Sequence, residues 1–312
     1  MNPGIAIFAY NRPESLRRLL GSLERCSGFS DAHVTIFIDG PRAQRDVEAV
    51  SQTKAVAESI ARDHWDIRAS TANKGLRRSI YDGVSDVCSR HGHATILEDD
   101  LVLSPGALDY FGEGLRRYRD EDRVRSVCGY TYEHPKLGET NRAFFLPFAH
   151  PWGWATWDRA WKQYAYDQPV LPEELIRSDS FRNFFNVNGL MDAADLLDLG
   201  QRGRVDSWFI RWHQSIFFSG GLSLFPSRRY VANMGVGRGG THASRLNPYR
   251  LLLGAEPPEN DQQPAWPADI EPDFLAMDLM RDSRDARAQR LIAKLGRYKR
   301  LMKRSKPQRN SP

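Results

Sequence analysis

Ile5, Ile7 and Phe8 open the chain as a short apolar run, and Leu16, Leu19, Leu20 and Leu23 follow at helical spacing. This predicts a strand, then a helix with Asn11 as its cap and Pro13 in its first turn, laying one face on a sheet. Val34, Ile36 and Ile38 alternate as a second strand that ends at Asp39-Gly40-Pro41, and Val47, Val50, Val56 and Ile60 predict the next helix. A third short strand falls near Asp66 to Ala69. Asn73-Lys74-Gly75 then leads into a helix with Leu76, Ile80, Val84, Val87 and Cys88 on one face, which delivers the chain to the apolar run Ala94-Thr95-Ile96-Leu97. Strands alternating with helices imply a mostly parallel sheet flanked by helices, an α/β class. A helix through Leu108, Phe111 and Leu115 and a strand from Val124 to Gly129 complete this half. Past Tyr130 the pattern loosens into long loops, a strand-like Ala143 to Phe148, and helices near Gly189 to Leu199 and Asp206 to Phe218. Prolines 257, 258, 264, 267 and 272 punctuate the stretch before a terminal basic segment, which divides the chain at 1–130, 131–255 and 256–312.

At 312 residues and 41% hydrophobic content the chain can bury a substantial core. It holds no run of eighteen apolar residues and opens without a signal-peptide pattern, so the expectation is a cytoplasmic protein that does not span a membrane. Cys26, Cys88 and Cys128 are far apart and unpaired in spacing, which excludes a cysteine zinc motif and suits buried thiols. The net charge of +5 belongs to the tail: residues 284–312 carry eleven Lys or Arg and one acid, leaving the body at −5. An acidic body argues against nucleic acid as a partner. Leu291, Leu295, Tyr298 and Met302 recur at helical spacing among those basic residues, a pattern suited to an anionic membrane surface or to a solvated terminal helix.

The chemistry concentrates where the fourth apolar run ends in Glu98-Asp99-Asp100. Ligands of open α/β sheets gather at the carboxyl ends of strands, and hard cations such as Mn²⁺ or Mg²⁺ take carboxylate, phosphate and water oxygens. A solvated turn is the plainer reading of three acids; a metal-bound diphosphate is the functional one. Arg12, Lys74 and Arg77 are placed to meet the same phosphate charge. A glycine-rich stretch from Asn233 to His242 adds Arg238 as a diphosphate clamp. It is not a dinucleotide fingerprint, because no strand-to-helix context surrounds it.

The order Phe8-Ala9-Tyr10-Asn11-Arg12-Pro13, Ile38-Asp39-Gly40, Asn73-Lys74-Gly75 and Glu98-Asp99-Asp100 resembles the nucleotide-sugar domain of GT-A fold glycosyltransferases, nearest to family 2-like bacterial enzymes. The acidic triplet is also similar to the Glu-Asp-Asp motif of N-acetylglucosaminyltransferase I. The resemblance covers roughly residues 4 to 130. It implies a GT-A fold in which 1–130 binds the nucleotide-sugar, 131–255 binds the acceptor and carries catalysis, and 256–312 is linker and basic helix. It implies donor contacts by Phe8, Tyr10, Asn11, Arg12, Asp39, Asn73, Lys74, Arg77, Asp99 and Arg238, with Asp100 and Asp99 on the metal and His242 as a further ligand.

Inverting transfer needs a carboxylate to take the acceptor proton, and Asp206 is the candidate, with a helix cap as its structural alternative. Arg211-Trp212 matches the Arg-Trp of the family's Gln-x-x-Arg-Trp motif, while Trp208 replaces its Gln, which counts against processive synthesis. Trp152 and Trp154 are candidates to stack on an acceptor sugar, with Trp157 and Trp161 on a buried helix face. The function implied is a metal-dependent transferase moving a hexosyl or N-acetylhexosaminyl group from a UDP-sugar to a glycan or lipid-linked acceptor. The alternatives are a non-catalytic glycan-binding pseudoenzyme and a sugar-phosphate nucleotidyltransferase, and the latter would carry a glycine-rich loop where Ala9 to Pro13 stands.

Overall fold

The computed structural model describes residues 4–167, 169–235, 259–288 and 290–291. Its first half alternates as the periodicity dictates: β1 (Gly4–Ala9), α1 (Pro13–Leu23), β2 (His33–Ile38), α2 (Val47–Ile60), β3 (Asp66–Ala69), α3 (Leu76–His91) and β4 (His93–Glu98). There follow β5 (Leu101–Leu103), α4 (Ala107–Arg117), β6 (Val124–Cys128), α5 (Pro135–Gly138), β7 (Ala143–Leu146), β8 (Trp154–Trp157) and α6 (Asp158–Trp161). The remaining described elements are α7 (Glu173–Arg177), α8 (Asp179–Phe185), α9 (Ala193–Gln201), α10 (Trp208–Phe218), β9 (Leu222–Pro226), β10 (Val231–Asn233) and α11 (Phe274–Asp282).

Eight strands form one sheet in the order β3-β2-β1-β4-β8-β6-β9-β7. The run β3-β2-β1-β4 is parallel throughout, β8 enters antiparallel between β4 and β6, and β9 is parallel to β6. The result is a mixed α/β sheet, largely parallel and flanked by helices. The chain moves outward from β1 through β2 to β3 and then returns across β1 to β4, so α1 and α2 pack on one face while α3 covers the other beside α6 and α10. That reversal puts a topological switch between β1 and β4, with the carboxyl ends of β1, β2, β3 and β4 on one edge. The principal core runs from Ile5 through Leu16, Ile36, Ile80, Leu97 and Val127 to Trp212, all essentially without solvent exposure.

Three local expectations change. Trp154 to Trp157 is a strand, not the start of a helix, because its backbone pairs with β4 on one side and β6 on the other; only Asp158–Trp161 is helical. Tertiary pairing overrides the i, i+3, i+7 spacing there. Asn11 does not cap α1: Arg12 holds the cap position and no side chain bonds the helix amides. Asp99 and Asp100 do form a turn, but it leads into β5, hydrogen-bonded antiparallel to β10, before the next helix. The three cysteines are free and buried, and burial pushes their thiols up, Cys26 to about 11 and Cys128 to about 12.

Candidate functional site

The last rungs of the parallel ladder set the site. Asp39 N–H donates to the Ala9 carbonyl at 3.0 Å, Ser70 N–H to the Ile38 carbonyl at 2.9 Å, and Asp99 N–H to the Phe8 carbonyl at 3.0 Å. Each bond fixes the first residue beyond a strand, so the exits of β1, β2, β3 and β4 stand side by side. They enclose a cavity of about 200 Å³, lined by Phe8, Tyr10, Asn11, Arg12, Asp39, Asn73, Glu98 and Asp99 among others. These are residues that the sequence motifs single out, brought together from four separate loops.

Asp39 is the most heavily bonded of them. Its Oδ1 accepts from Gly40 N–H at 2.9 Å and Lys74 N–H at 2.8 Å, and its Oδ2 accepts from Gly75 N–H at 2.9 Å and Asn73 Nδ2 at 3.0 Å. Asn73 Nδ2 also reaches the Gly40 carbonyl at 2.8 Å. The Asn-Lys-Gly motif is therefore the loop that Asp39 grips, and the grip sets the start of α3 at the cavity wall. Gly40 is required by this approach, because a Cβ there would lie 2.5 Å from the Ala72 backbone. Lys74 itself is exposed and lines a neighbouring cavity of about 290 Å³ with Arg68 and Asp86.

The floor of the main cavity is aromatic. Phe8 stacks on Phe37 with ring centroids 5.1 Å apart. Tyr10 crosses above, its hydroxyl donating to Asp46 at 3.0 Å and accepting from Arg42 N–H at 2.9 Å. Phe37, Arg42, Ser79 and Leu76 line the cavity too; the sequence reading passes over the first three and places Leu76 only on the apolar face of α3. Phe37 has the opposite parity to Val34, Ile36 and Ile38, which could have marked it as facing α3; nothing local marks Arg42 or Ser79.

At the β4 end, Asp99 is buried while Glu98 and Asp100 are half-buried. Asp99 Oδ2 accepts from Tyr10 N–H at 3.3 Å, and Asp100 Oδ1 accepts from Asn233 Nδ2 at 3.5 Å. Their remaining oxygens both face one nitrogen of Arg12, at 3.5 Å from Asp99 and 3.2 Å from Asp100. Burial first, and then repulsion from Asp100, pushes the Asp99 carboxyl up to about 7; burial, Asp100 and Asp99 likewise push Glu98 up, and burial pushes Asp100 up against the opposing pull of Arg12. Asp99 and Asp100 share one guanidinium and Glu98 adjoins them, so the acids outnumber the one cation in contact with them. Among the described residues no group of three or more His, Cys, Asp or Glu side chains is gathered to hold a metal ion. The two carboxylate oxygens turned to Arg12 are nevertheless donors of the kind a hard cation takes, its shell being completed by water and phosphate.

Arg77 and Asp206 meet each other and are not among the residues that line the cavity. Arg77 Nε lies 2.7 Å from Asp206 Oδ1, and the guanidinium sits 4.2 Å from the Tyr166 ring centre. Asp206 is exposed and does not cap α10; Ser207 does, accepting from Ile210 N–H at 3.5 Å. Trp208, Trp212 and Ile216 pack inward as their spacing predicts. Trp152 is half-buried against Tyr130 and His150, with ring centroids at 4.7 and 5.2 Å. Trp154 is only 1% exposed, its ring enclosed by Trp161, Trp208 and Trp212, so this arrangement corrects its assignment to an acceptor: no face of it is open to a sugar. Arg238 and His242 lie outside the described residues.

No family model matches the chain. Among solved structures, the mannosyltransferase PcManGT from Pyrobaculum calidifontis, in complex with GDP-Man and Mn²⁺, is similar at a TM-score of 0.37 and 8% sequence identity, over 70% of this chain and 70% of that one. A likeness of this degree carries no argument, and the functional reading rests on the site.

Proposed function

We propose that this chain is a glycosyltransferase that moves a sugar from a nucleotide-sugar, a UDP-sugar in the first instance, to a glycan or lipid-linked acceptor with inversion, and that it uses Mn²⁺ or Mg²⁺. The observation that carries the reading is the convergence of four strand ends on a cavity with an aromatic floor and a charge-deficient acidic wall at the topological switch point. An aromatic floor suits a nucleoside, and an acidic wall beside it suits a diphosphate only through a bridging cation. α1 and α3 both begin at this edge with no side-chain cap, so backbone N–H groups of their first turns are available to an anion.

In this reading Asp99 and Asp100 hold the cation, which when bound neutralises charge growing on the departing diphosphate. Phe8, Tyr10, Asn11 and Asn73 border the donor, Arg12 serves its phosphates, and Asp39 positions the wall through its four bonds. Lys74 approaches the donor from the neighbouring cavity. Asp206 takes the proton of the acceptor hydroxyl, Arg77 fixes where its carboxylate stands, and Trp152 offers the acceptor an aromatic edge. Residues 1–130 act as the donor half, 131–255 as the acceptor and catalytic half, and 256–312 as linker and basic tail.

Thermal-shift titration with UDP, GDP, CMP and their sugars, with and without Mn²⁺, tests this. A metal-dependent rise with one nucleotide, abolished in Asp100→Ala, supports the reading. Binding that ignores both the metal and that substitution removes it.

A further inference from the structure

We infer that Arg12 is an internal counter-ion that occupies the gap between Asp99 and Asp100 in the free protein, yields it to an entering divalent cation, and then turns to the donor's diphosphate. The inference rests on the donor-site reading above.

Four observations carry it. Each carboxylate has one oxygen tied back by a protein N–H group, Asp99 by Tyr10 and Asp100 by Asn233, and presents its other oxygen to the same Arg12 nitrogen. Each carboxylate thus also has a contact on its other side, at 3.3 and 3.5 Å. The contacts to Arg12 are long, at 3.2 and 3.5 Å, whereas the same chain builds Arg182–Asp195 at 2.6 Å and Arg229–Glu133 at 2.7 Å. Charge-assisted bonds that define structure are short, near 2.7–2.9 Å, so this pairing is loose. The Arg12 side chain is 24% exposed and borders the cavity, so its guanidinium has open volume to move into. Finally, Gly235 lies so near Asp100 that a Cβ there would stand 2.2 Å from its Oδ2, so the missing side chain at 235 is what leaves the carboxylate its place.

The exchange follows from charge and size. Asp99 Oδ1 and Asp100 Oδ2, the oxygens turned to Arg12 in the free protein, are the ones that would hold a hard cation. Like charges then repel, and the displaced fork meets a phosphate through two parallel N–H bonds. The free protein is thereby spared two facing, uncompensated carboxylates.

The test is Mn²⁺ binding read from the electron paramagnetic resonance signal of free Mn²⁺, on the full chain, for wild type, Arg12→Ala and Arg12→Lys, with and without UDP or GDP. Without nucleotide, Arg12→Ala is expected to bind Mn²⁺ about tenfold more tightly than wild type, since a competing positive charge is gone. With Mn²⁺ saturating, the same variant is expected to bind the nucleoside diphosphate about tenfold more weakly, and Arg12→Lys to fall between on both readouts because it keeps the charge without the fork. Mn²⁺ affinity unchanged or weakened in Arg12→Ala, with metal-dependent nucleotide binding intact in wild type, overturns the counter-ion role and leaves the donor site standing. Mn²⁺ held by no variant with any nucleotide overturns both. Circular dichroism melts of the three proteins identify a variant that has lost its fold, and Arg12→Lys then decides.

Discussion

The carboxylate of Asp39 illustrates how much one buried residue can carry: it satisfies three backbone N–H groups and one amide N–H across two loops. Asp39→Ala strands those donors, so a loss of about 2–4 kcal/mol is expected in urea unfolding, with nucleotide affinity falling alongside. If Asp206 is the base of the proposed transfer, Asp206→Asn is expected to lower turnover at least about a hundredfold while leaving donor binding within about twofold, because the group is exposed and stands outside the donor cavity. Two buried histidines set an acid limit on the fold. Burial pushes His150 down to about 3 and His213 to about 4 from an ordinary 6.5. A depressed folded value means that the unfolded chain takes up protons first, so their contribution is complete above pH 6.5 and is lost as pH falls toward 4 and 3. Each contributes a slope of about 1.4 kcal/mol per pH unit in that window, and His150→Phe should flatten the pH dependence of the urea midpoint by one such increment. An unchanged slope would show that His150 titrates normally.

Among the elements, most of the first half was legible because each carries its own periodicity: β1, α1, β2, α2, α3 and β4 fall where apolar spacing predicts them, and the short β3 falls between two of them. The missed strands β5, β8, β9 and β10 are three to five residues long and acquire their identity from neighbours. β8 is two tryptophans around Ala-Thr, a pattern that reads as helix or strand until β4 and β6 are seen on either side. The β5–β10 ribbon is the most consequential of these, since it returns Asn233 and Gly235 to Asp100 from more than a hundred residues away. Gly235→Ala is expected to push the Asp100 carboxylate aside and reduce Mn²⁺ retention about tenfold, with little change in helix and sheet content by circular dichroism. Equal Mn²⁺ binding in both proteins would show that the close approach is idle.

At the scale of the whole molecule, the proposed function predicts that stability rises with ligand. A nucleotide and cation that bind only the folded state at a hundred times their dissociation constants should add about 2.7 kcal/mol, reversed by a chelator, and calorimetric melts check it. Among the described residues no helix is long and apolar enough to cross a membrane. If the basic tail holds an anionic surface, truncation after Leu291 should abolish liposome binding while sparing the Arg229–Asp285 pair, whose partners lie before the cut. Retained binding would move the contact elsewhere. What the sequence determined by itself was the parallel α/β run and the acids, aromatics and amides at its strand exits, because strand and helix periods and strand-end chemistry are local in the chain. The tertiary structure alone decided what those groups face: that Asp39 spends both oxygens on a loop, that Arg77 meets Asp206, that Trp154 is sealed in the core, and that one arginine stands between two aspartates. Those relations depend on distances between segments far apart in sequence, and only the pairing of the strands brings the segments together.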